Sequence, residues 1–297
     1  MKTAFIYTGQ GFQRPGMLHE LPDCREKERC LKTAEEILGR PAEELDLPES
    51  LKSNENTQIC IYICETVLSR ILRESLSCDM VSGHSIGSFA AAVESGVLCY
   101  EDGLRLVSMR GKYMGNLFPY GYGMRAVKGL TKGYMERLLD EFYSLYPQAE
   151  VFLATVNEEL QCTVSGRLDW LDRFEQHVHK KFPAKVIPLH VHVPSHCRLM
   201  SPVTERLREE SGRVSWGKME IPYLCNSRAR RAWKTADVKK DLEEGAEKAV
   251  RWYEGITLMK ELGIDTFIEA SPAHTLTNIG RRSWPGLRWI ESRSVTG

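Results

Sequence analysis

A serine lies between two glycines in the first third of the chain. Residues 80–92 are MVSGHSIGSFAAA, so Ser85 is the centre of a G-x-S-x-G pentapeptide. An apolar segment precedes the pentapeptide and a helix-forming segment follows it, which is the strand–turn–helix context of a nucleophilic serine. Small residues at 83 and 87 permit a sharp turn, and the amides that open the next helix can stabilise an oxyanion. The pattern favours a nucleophilic Ser85 over the alternative, a serine that only caps the helix.

A nucleophilic serine requires a base, and two histidines are candidates. His274 follows Asp265 and Glu269, which gives the serine–acid–histidine order of ordinary α/β-hydrolases. His196 lies in the segment LHVHVPSHCRLM, just after a predicted strand. Spacing alone does not choose between these two histidines.

Other residue pairs suggest metal chemistry more weakly. His190 and His192 alternate, so they would share one side of a strand, and imidazoles are ligands for zinc. No cysteine or carboxylate pattern of the usual spacing accompanies them, so we expect no metal site. Cys60 and Cys64 fall on the inner face of a predicted helix, where a role in the core is expected.

The elements that would position Ser85 alternate between strands and helices. Apolar runs predict a first strand at 4–7, followed by a glycine turn, and another strand leading into the serine pentapeptide. Apolar residues at spacings of three and four predict helices at 57–76 and 101–118. After Pro194 the alternation resumes with the strand IPYLCN, one continuous helix over 238–263 and a strand with the sequence DTFIEA.

A different pattern occupies the middle of the chain. Residues 124–190 have the element order β-α-β-β-α-β, which predicts a small ferredoxin-like subdomain. We therefore expect an α/β fold: an α/β-hydrolase-like core with a parallel sheet, formed by 1–123 and 191–297, and an inserted subdomain formed by 124–190.

Composition limits the class of protein. The chain has 297 residues, with 42% hydrophobic and 27% charged residues, as in ordinary globular proteins. Lys+Arg and Asp+Glu both number 40, which argues against a nucleic-acid-binding protein. No apolar run approaches the roughly 18 residues that cross a bilayer, and the N-terminal sequence does not resemble a signal peptide. The nine cysteines show no CxxC pairing, so we expect reduced thiols in a cytoplasmic protein without a membrane partner.

Several spaced motifs together resemble the malonyl-CoA–acyl carrier protein transacylases, over nearly the whole chain. In chain order they are TGQGFQ, GHSIGSFAAA, LRLVSMRGKYM, an N…Q…VSG pattern over 157–166, and VPSHCRLM. The details YGYGM, PYLCNSRARRAW and VRW look most like the epsilon subunit of malonate decarboxylase. The resemblance implies transfer of malonyl from CoA to the carrier subunit of that complex. The alternative is the malonyl transacylase of fatty-acid synthesis.

The resemblance also implies roles for individual residues. Ser85 would accept the acyl group, and His196 would be its general base and later its acid. The backbone amides of Gln10 and Ile86 would form the oxyanion hole. Arg110 would bind the malonyl carboxylate with its two-pronged guanidinium.

Further roles concern the histidine's orientation and the partners. In the family, backbone carbonyls orient the histidine, and one comes from an Asn-Pro-Val stretch that is Lys-Ala-Val at 248–250 here. Lys185 matches a basic position that, in the family, helps to hold the CoA phosphates. The basic residues Arg228, Arg230, Arg231 and Lys234 either dock an acidic carrier protein or form a solvated loop.

The implied reaction needs few components. The resemblance implies no permanently bound cofactor and no nucleic acid, with malonyl-CoA as substrate and a phosphopantetheine-type arm on the carrier. Two alternatives to the transferase are a serine hydrolase that uses His274 and a non-catalytic subunit of a complex.

Overall fold

The computed structural model describes residues 2–296, and its larger sheet has six strands. In spatial order these are β10 (Arg288–Glu291), β9 (Thr266–Glu269), β1 (Thr3–Tyr7), β2 (Met80–Gly83), β7 (Tyr223–Cys225) and β8 (Arg230–Arg231). All neighbouring strands are parallel except β8, which runs antiparallel to β7. The four central strands β9, β1, β2 and β7 therefore end at one edge of the sheet, where α/β proteins bind their ligands.

Helices pack around this sheet. They are α1 (Arg25–Leu38), α2 (Asn54–Arg73), α3 (Gly87–Glu94), α4 (Tyr100–Leu117), α7 (Ser201–Ser211), α8 (Thr235–Glu244), α9 (Trp252–Glu261), α10 (Thr275–Ser283) and α11 (Arg293–Thr296). The helix predicted at 57–76 is α2, which is buried on most of its surface against α1, α3 and α4. None of the helices within residues 2–296 is long and apolar enough to span a membrane.

The turn between β2 and α3 carries Ser85. Ser85 has a φ of 57°, in the left-handed region that non-glycine residues seldom adopt. A Cβ at Gly83 would lie 2.2 Å from the backbone of the following helix, and one at Gly87 would lie 2.6 Å from the carbonyl oxygen of Tyr7. The expectation that side chains at 83 and 87 would obstruct this turn is confirmed.

The small subdomain has its own sheet and core. Its elements are β3 (Tyr122–Lys128), α5 (Lys132–Leu145), β4 (Val151–Glu158), β5 (Gln161–Arg167), α6 (Leu168–His179) and β6 (Lys185–Pro188). The strands are antiparallel in the order β4-β5-β3-β6, which is the ferredoxin-like arrangement predicted from the element order. The two helices cover one face, where Phe142 packs edge-on against Phe174 with ring centroids 5.2 Å apart. The first strand begins at Tyr122, two residues before the expected boundary.

The prediction of one continuous helix over 238–263 is wrong. Helix α8 ends at Glu244 and α9 begins at Trp252, with a non-helical segment between them. Val250 pairs there with strand β4, since its N–H donates to the carbonyl of Ala154 at 2.9 Å and its carbonyl accepts from Val156 at 2.8 Å. These bonds to the small subdomain compete with the helical bonds of the same backbone groups. We call residues 245–251 the connecting segment.

Candidate active site

Ser85 and His196 meet at the edge where the strands of the large sheet end. The Oγ of Ser85 lies 2.7 Å from Nε2 of His196, although the two residues are 111 positions apart. His196 is 3% exposed and has a φ of 64°, so it also occupies the left-handed region. Two strained residues in contact indicate a site whose geometry the surrounding fold imposes.

The connecting segment orients the imidazole of His196. Nδ1 lies 2.8 Å from the carbonyl oxygen of Gly245 and 3.2 Å from that of Lys248. Carbonyl oxygens only accept hydrogen bonds, so Nδ1 carries the proton and Nε2 is free to accept the proton of Ser85. The carbonyl expected from the Lys-Ala-Val stretch is therefore present at Lys248, and a second one comes from Gly245.

The surroundings of His196 favour its neutral form. Burial, followed by the nearby positive charge of Arg110, lowers the pKa of His196 to about 3. An imidazole that stays uncharged near neutral pH is available as a general base.

Arg110 is a buried cation beside the serine. Its side chain projects from α4 and is 2% exposed. Nη1 donates to Oε1 of Gln58 at 2.6 Å, and Nη2 lies 3.5 Å from Oγ of Ser85. Within residues 2–296 no carboxylate pairs with this guanidinium, and burial lowers the pKa of Arg110 to about 10. The site thus holds a desolvated positive charge that only a ligand would neutralise.

Two backbone amides near the serine have no hydrogen-bond partner within residues 2–296. The N–H groups of Gln10 and Ile86 donate to no atom in the described part of the chain. Ile86 directly follows the serine at the start of α3. The turn that carries Gln10 lies against the serine, since a Cβ at Gly9 would be 3.5 Å from that of Ser85. The arrangement suits an oxyanion next to Ser85.

A cavity of about 280 Å³ opens onto Ser85 and His196. Ser85, His196 and the Gln10 turn line it from the core, and Asn157 and Gln161 line it from the small subdomain. A larger cavity of about 620 Å³ adjoins it on the far side of Gln10, but neither Ser85 nor His196 lines that space. The cleft for chemistry is therefore the smaller one, between core and subdomain.

The alternative base, His274, forms no hydrogen bond with Ser85 within residues 2–296. His274 is an exposed residue at the start of α10, with no hydrogen bond to Ser85, Asp265 or Glu269 among the described residues. Glu269 is buried and instead accepts the backbone N–H groups of Leu276 and Thr277. A serine–acid–histidine triad through His274 is absent from the described chain.

Lys185 lies away from the reactive groups. It is exposed at the start of β6 and pairs in register with Lys128 of β3. Directly opposed residues of antiparallel strands share a face, and Ala126, two residues from Lys128, lines the cavity. Lys185 is therefore on the cavity side of the small sheet, further toward its outer end.

The alternating histidines lie on a loop and not on a strand. His190 and His192 are both exposed and line the larger cavity. Among residues 2–296 no group of three or more histidine, cysteine or acidic side chains is arranged to hold a metal ion.

Sequence reasoning missed two residues of the site. Gln58 holds Arg110, and its signal was a polar residue within the apolar helix sequence TQICIYIC. Asn226 accepts the backbone N–H of Ser85 on its Oδ1 at 3.2 Å. Its signal was a polar residue directly after the apolar strand PYLC.

A serine on a strained strand–helix turn, bonded to a buried imidazole, is the arrangement of α/β enzymes that transfer acyl groups through a serine ester. The chain belongs to the acyl transferase domain family, whose profile matches residues 4–285. The family membership predicted from the motifs is thereby confirmed.

Individual relatives align with this chain over nearly the full length of both proteins. The malonyl CoA-acyl carrier protein transacylase of Synechocystis sp. is 28% identical over 290 residues, which cover 97% of this chain and 95% of that protein. The protein of the same name from Bacillus subtilis is 28% identical, with coverage of 95% and 90%. The crystal structure of MCAT from Streptococcus pneumoniae superposes with a TM-score of 0.92 at 29% identity, covering 99% of this chain and 98% of that one.

Proposed function

We propose that this protein is a malonyl-CoA:acyl carrier protein S-malonyltransferase that works through a malonyl ester on Ser85. The observation that carries the proposal is Arg110, a buried cation with no carboxylate partner in the described part of the chain, 3.5 Å from the Ser85 hydroxyl. A malonyl group supplies the missing carboxylate at the far end of the acyl chain. The names of the relatives support the same substrate and acceptor.

The first half-reaction loads the serine. Oγ of Ser85 attacks the thioester carbonyl of malonyl-CoA while its proton passes to Nε2 of His196. The N–H groups of Gln10 and Ile86 stabilise the oxyanion that forms. The tetrahedral intermediate then expels the CoA thiolate, which takes the proton from His196. The products are free CoA and malonyl-Ser85.

The second half-reaction reverses these roles. The thiol of the carrier's arm gives its proton to His196 and attacks the ester carbonyl, and the same amides hold the oxyanion. The serine oxygen leaves and recovers the proton from Nε2. The hydroxyl is restored, so no other reactant is consumed.

Lys185 is proposed to contact the phosphates of CoA. It lies on the cavity side of the small sheet opposite Lys128, and neither ammonium has an ion-pair partner in the described chain. Two like charges directly opposed across strands are unfavourable without a counterion. An anionic ligand at the outer end of the cavity would supply that counterion.

The names of the relatives bear on the choice of carrier. The relatives named above support the transacylase of fatty-acid synthesis better than the malonate decarboxylase subunit that the YGYGM and NSRARRAW segments suggested. We therefore propose an acyl carrier protein of fatty-acid synthesis as the acceptor.

Mass spectrometry of the protein mixed with malonyl-CoA tests the proposal. We expect one malonyl group on Ser85, its discharge by added acyl carrier protein, and no label on Ser85→Ala. Ser88→Ala is the matched control, because Ser88 lies three residues after Ser85, in the first turn of α3, and its Oγ donates to the carbonyl oxygen of Gly83. Rapid release of malonate without a carrier would instead identify a hydrolase, and absence of label would identify a non-catalytic subunit.

A comparison of kcat/KM with two carriers tests the acceptor. One carrier is the acyl carrier protein of fatty-acid synthesis, and the other is the carrier subunit of malonate decarboxylase. A higher kcat/KM with the first carrier supports the proposal. A higher kcat/KM with the second would instead indicate that the protein is the epsilon subunit of malonate decarboxylase.

A further inference from the structure

A buried carboxylate holds the turn that follows strand β7. Asp241 lies on the inner face of α8 and is 1% exposed. It accepts hydrogen bonds from the hydroxyl of Tyr223 at 3.0 Å and from the backbone N–H of Asn226 at 2.8 Å. It also accepts from both the N–H and the hydroxyl of Ser227, at 3.1 and 2.9 Å. No cation pairs with it in the described chain, so these four donors alone compensate its burial.

Asn226 connects this turn to Ser85 and to the segment that orients His196. Its side-chain oxygen accepts the N–H of Ser85 at 3.2 Å, and its backbone carbonyl accepts the N–H of Arg251 at 3.0 Å. Arg251 ends the connecting segment, three residues after Lys248, whose carbonyl orients His196. One residue therefore fixes the turn of the nucleophile and the segment that orients the base.

We propose that Asp241 is a positioning residue for acyl transfer, acting through Asn226 on Ser85 and on the connecting segment. The inference rests on the proposed function. Ser85 and His196 both have positive φ, so neither holds its position by its own backbone preference. The carboxylate fixes Asn226, and Asn226 in turn resists relaxation of the serine turn. Asp241 touches no reacting atom.

Asp241→Asn tests this role. The amide keeps the size of the carboxylate, but its NH₂ group faces a backbone N–H, so at least one bond to the turn is lost. We expect kcat per titrated active site to fall by about 10- to 100-fold, because small misplacements of reacting groups reduce rates on this scale. KM for malonyl-CoA should change by less than about 3-fold, since Arg110 is not affected.

Asp237→Asn is the matched control. Asp237 lies one turn earlier on the same helix and also accepts backbone N–H groups, from Trp233 and Lys234, but these bonds lead away from the site. Its replacement should lower the melting temperature without changing kcat per active site. Full kcat in folded Asp241→Asn would overturn the inference.

A double-mutant cycle with Asn226→Ala identifies the route. Asn226→Ala removes the side-chain bond to Ser85 and keeps the backbone carbonyl that bonds Arg251. If Asp241 acts on Ser85 through the side chain of Asn226, the losses of kcat in the single variants should not fully add in the double variant. Additive losses would overturn the proposed route. If Asp241→Asn does not fold, Ser227→Ala removes one bond and leaves the carboxylate. A kcat lowered by about 3-fold then supports the inference and an unchanged kcat overturns it.

The wild-type protein separates the two proposals. Absence of malonyl transfer by the wild type would refute the proposed function itself. Normal transfer by the wild type and by folded Asp241→Asn would refute only the positioning role.

Discussion

Arg110→Ala removes the cation on which the proposed selectivity depends. In the free protein this guanidinium is 2% exposed, and the partners that it bonds among residues 2–296, Gln58 and Ser85, are neutral. Bound malonyl would place a carboxylate in the same desolvated space. Without the arginine, that anion would be buried with no partner charge.

The expected loss follows from this burial. Breaking a buried charge pair by removal of one partner costs about 3–5 kcal/mol. At about 1.4 kcal/mol for each factor of ten, kcat/KM for malonyl-CoA should fall by about two to four orders of magnitude. Acetyl-CoA carries no carboxylate, so its acylation rate should change little. Loss of the positive charge also removes one cause of the lowered pKa of His196, which favours a stronger base.

The decisive measurement is the ratio of malonyl to acetyl loading rates on Ser85. Arg110→Lys should recover only part of the ratio, because one ammonium cannot reproduce the planar fork. Arg105→Ala is the control on the same helix, since Arg105 is exposed and pairs with Asp102 at 3.0 Å. It should leave the ratio unchanged. If Arg110→Ala also leaves the ratio unchanged, the arginine does not bind the carboxylate and the selectivity argument fails.

Three further predictions concern the base and the serine turn. His196→Ala should slow serine loading by at least about 100-fold, whereas His274→Ala should not; the reverse result would indicate a hydrolase-type triad. Because the pKa of His196 is lowered to about 3, the imidazole gains its proton only in strong acid, so kcat/KM should keep its neutral-pH value down to about pH 5. A decline centred on the ordinary histidine pKa of 6.5 would contradict the burial argument. Gly83→Ala should destabilise the protein by about 3 kcal/mol in urea unfolding, since its Cβ would overlap the backbone of α3, and an unchanged midpoint would refute that overlap.

Local sequence patterns predicted the elements around the serine well. The apolar strand, the glycines and the small residues of α3 all specify the same turn, so neighbouring residues sufficed. The ferredoxin-like order was equally visible, because each of its strands and helices has its own periodicity. These features depend on contacts close in sequence.

Features that depend on distant contacts were not predictable in this way. Residues 238–263 keep helical spacing throughout, and the helix is interrupted where its backbone bonds distant segments, as in the pairing of Val250 with strand β4. Arg110 on its own has the pattern of a solvated helix charge, and its burial follows from packing of α4 against Gln58 on α2. The link from Asp241 through Asn226 joins three separate segments, which no single pattern contains.

The bridge between Val250 and strand β4 has a consequence for recombining such enzymes. The small subdomain is joined by backbone hydrogen bonds to the connecting segment that orients His196. A chimera that exchanges only the inserted subdomain would replace one side of this bridge and leave the other. An exchange of the subdomain that keeps His196 aligned should therefore include residues 245–251 together with β4. These two segments are distant in the chain but must be exchanged as a pair.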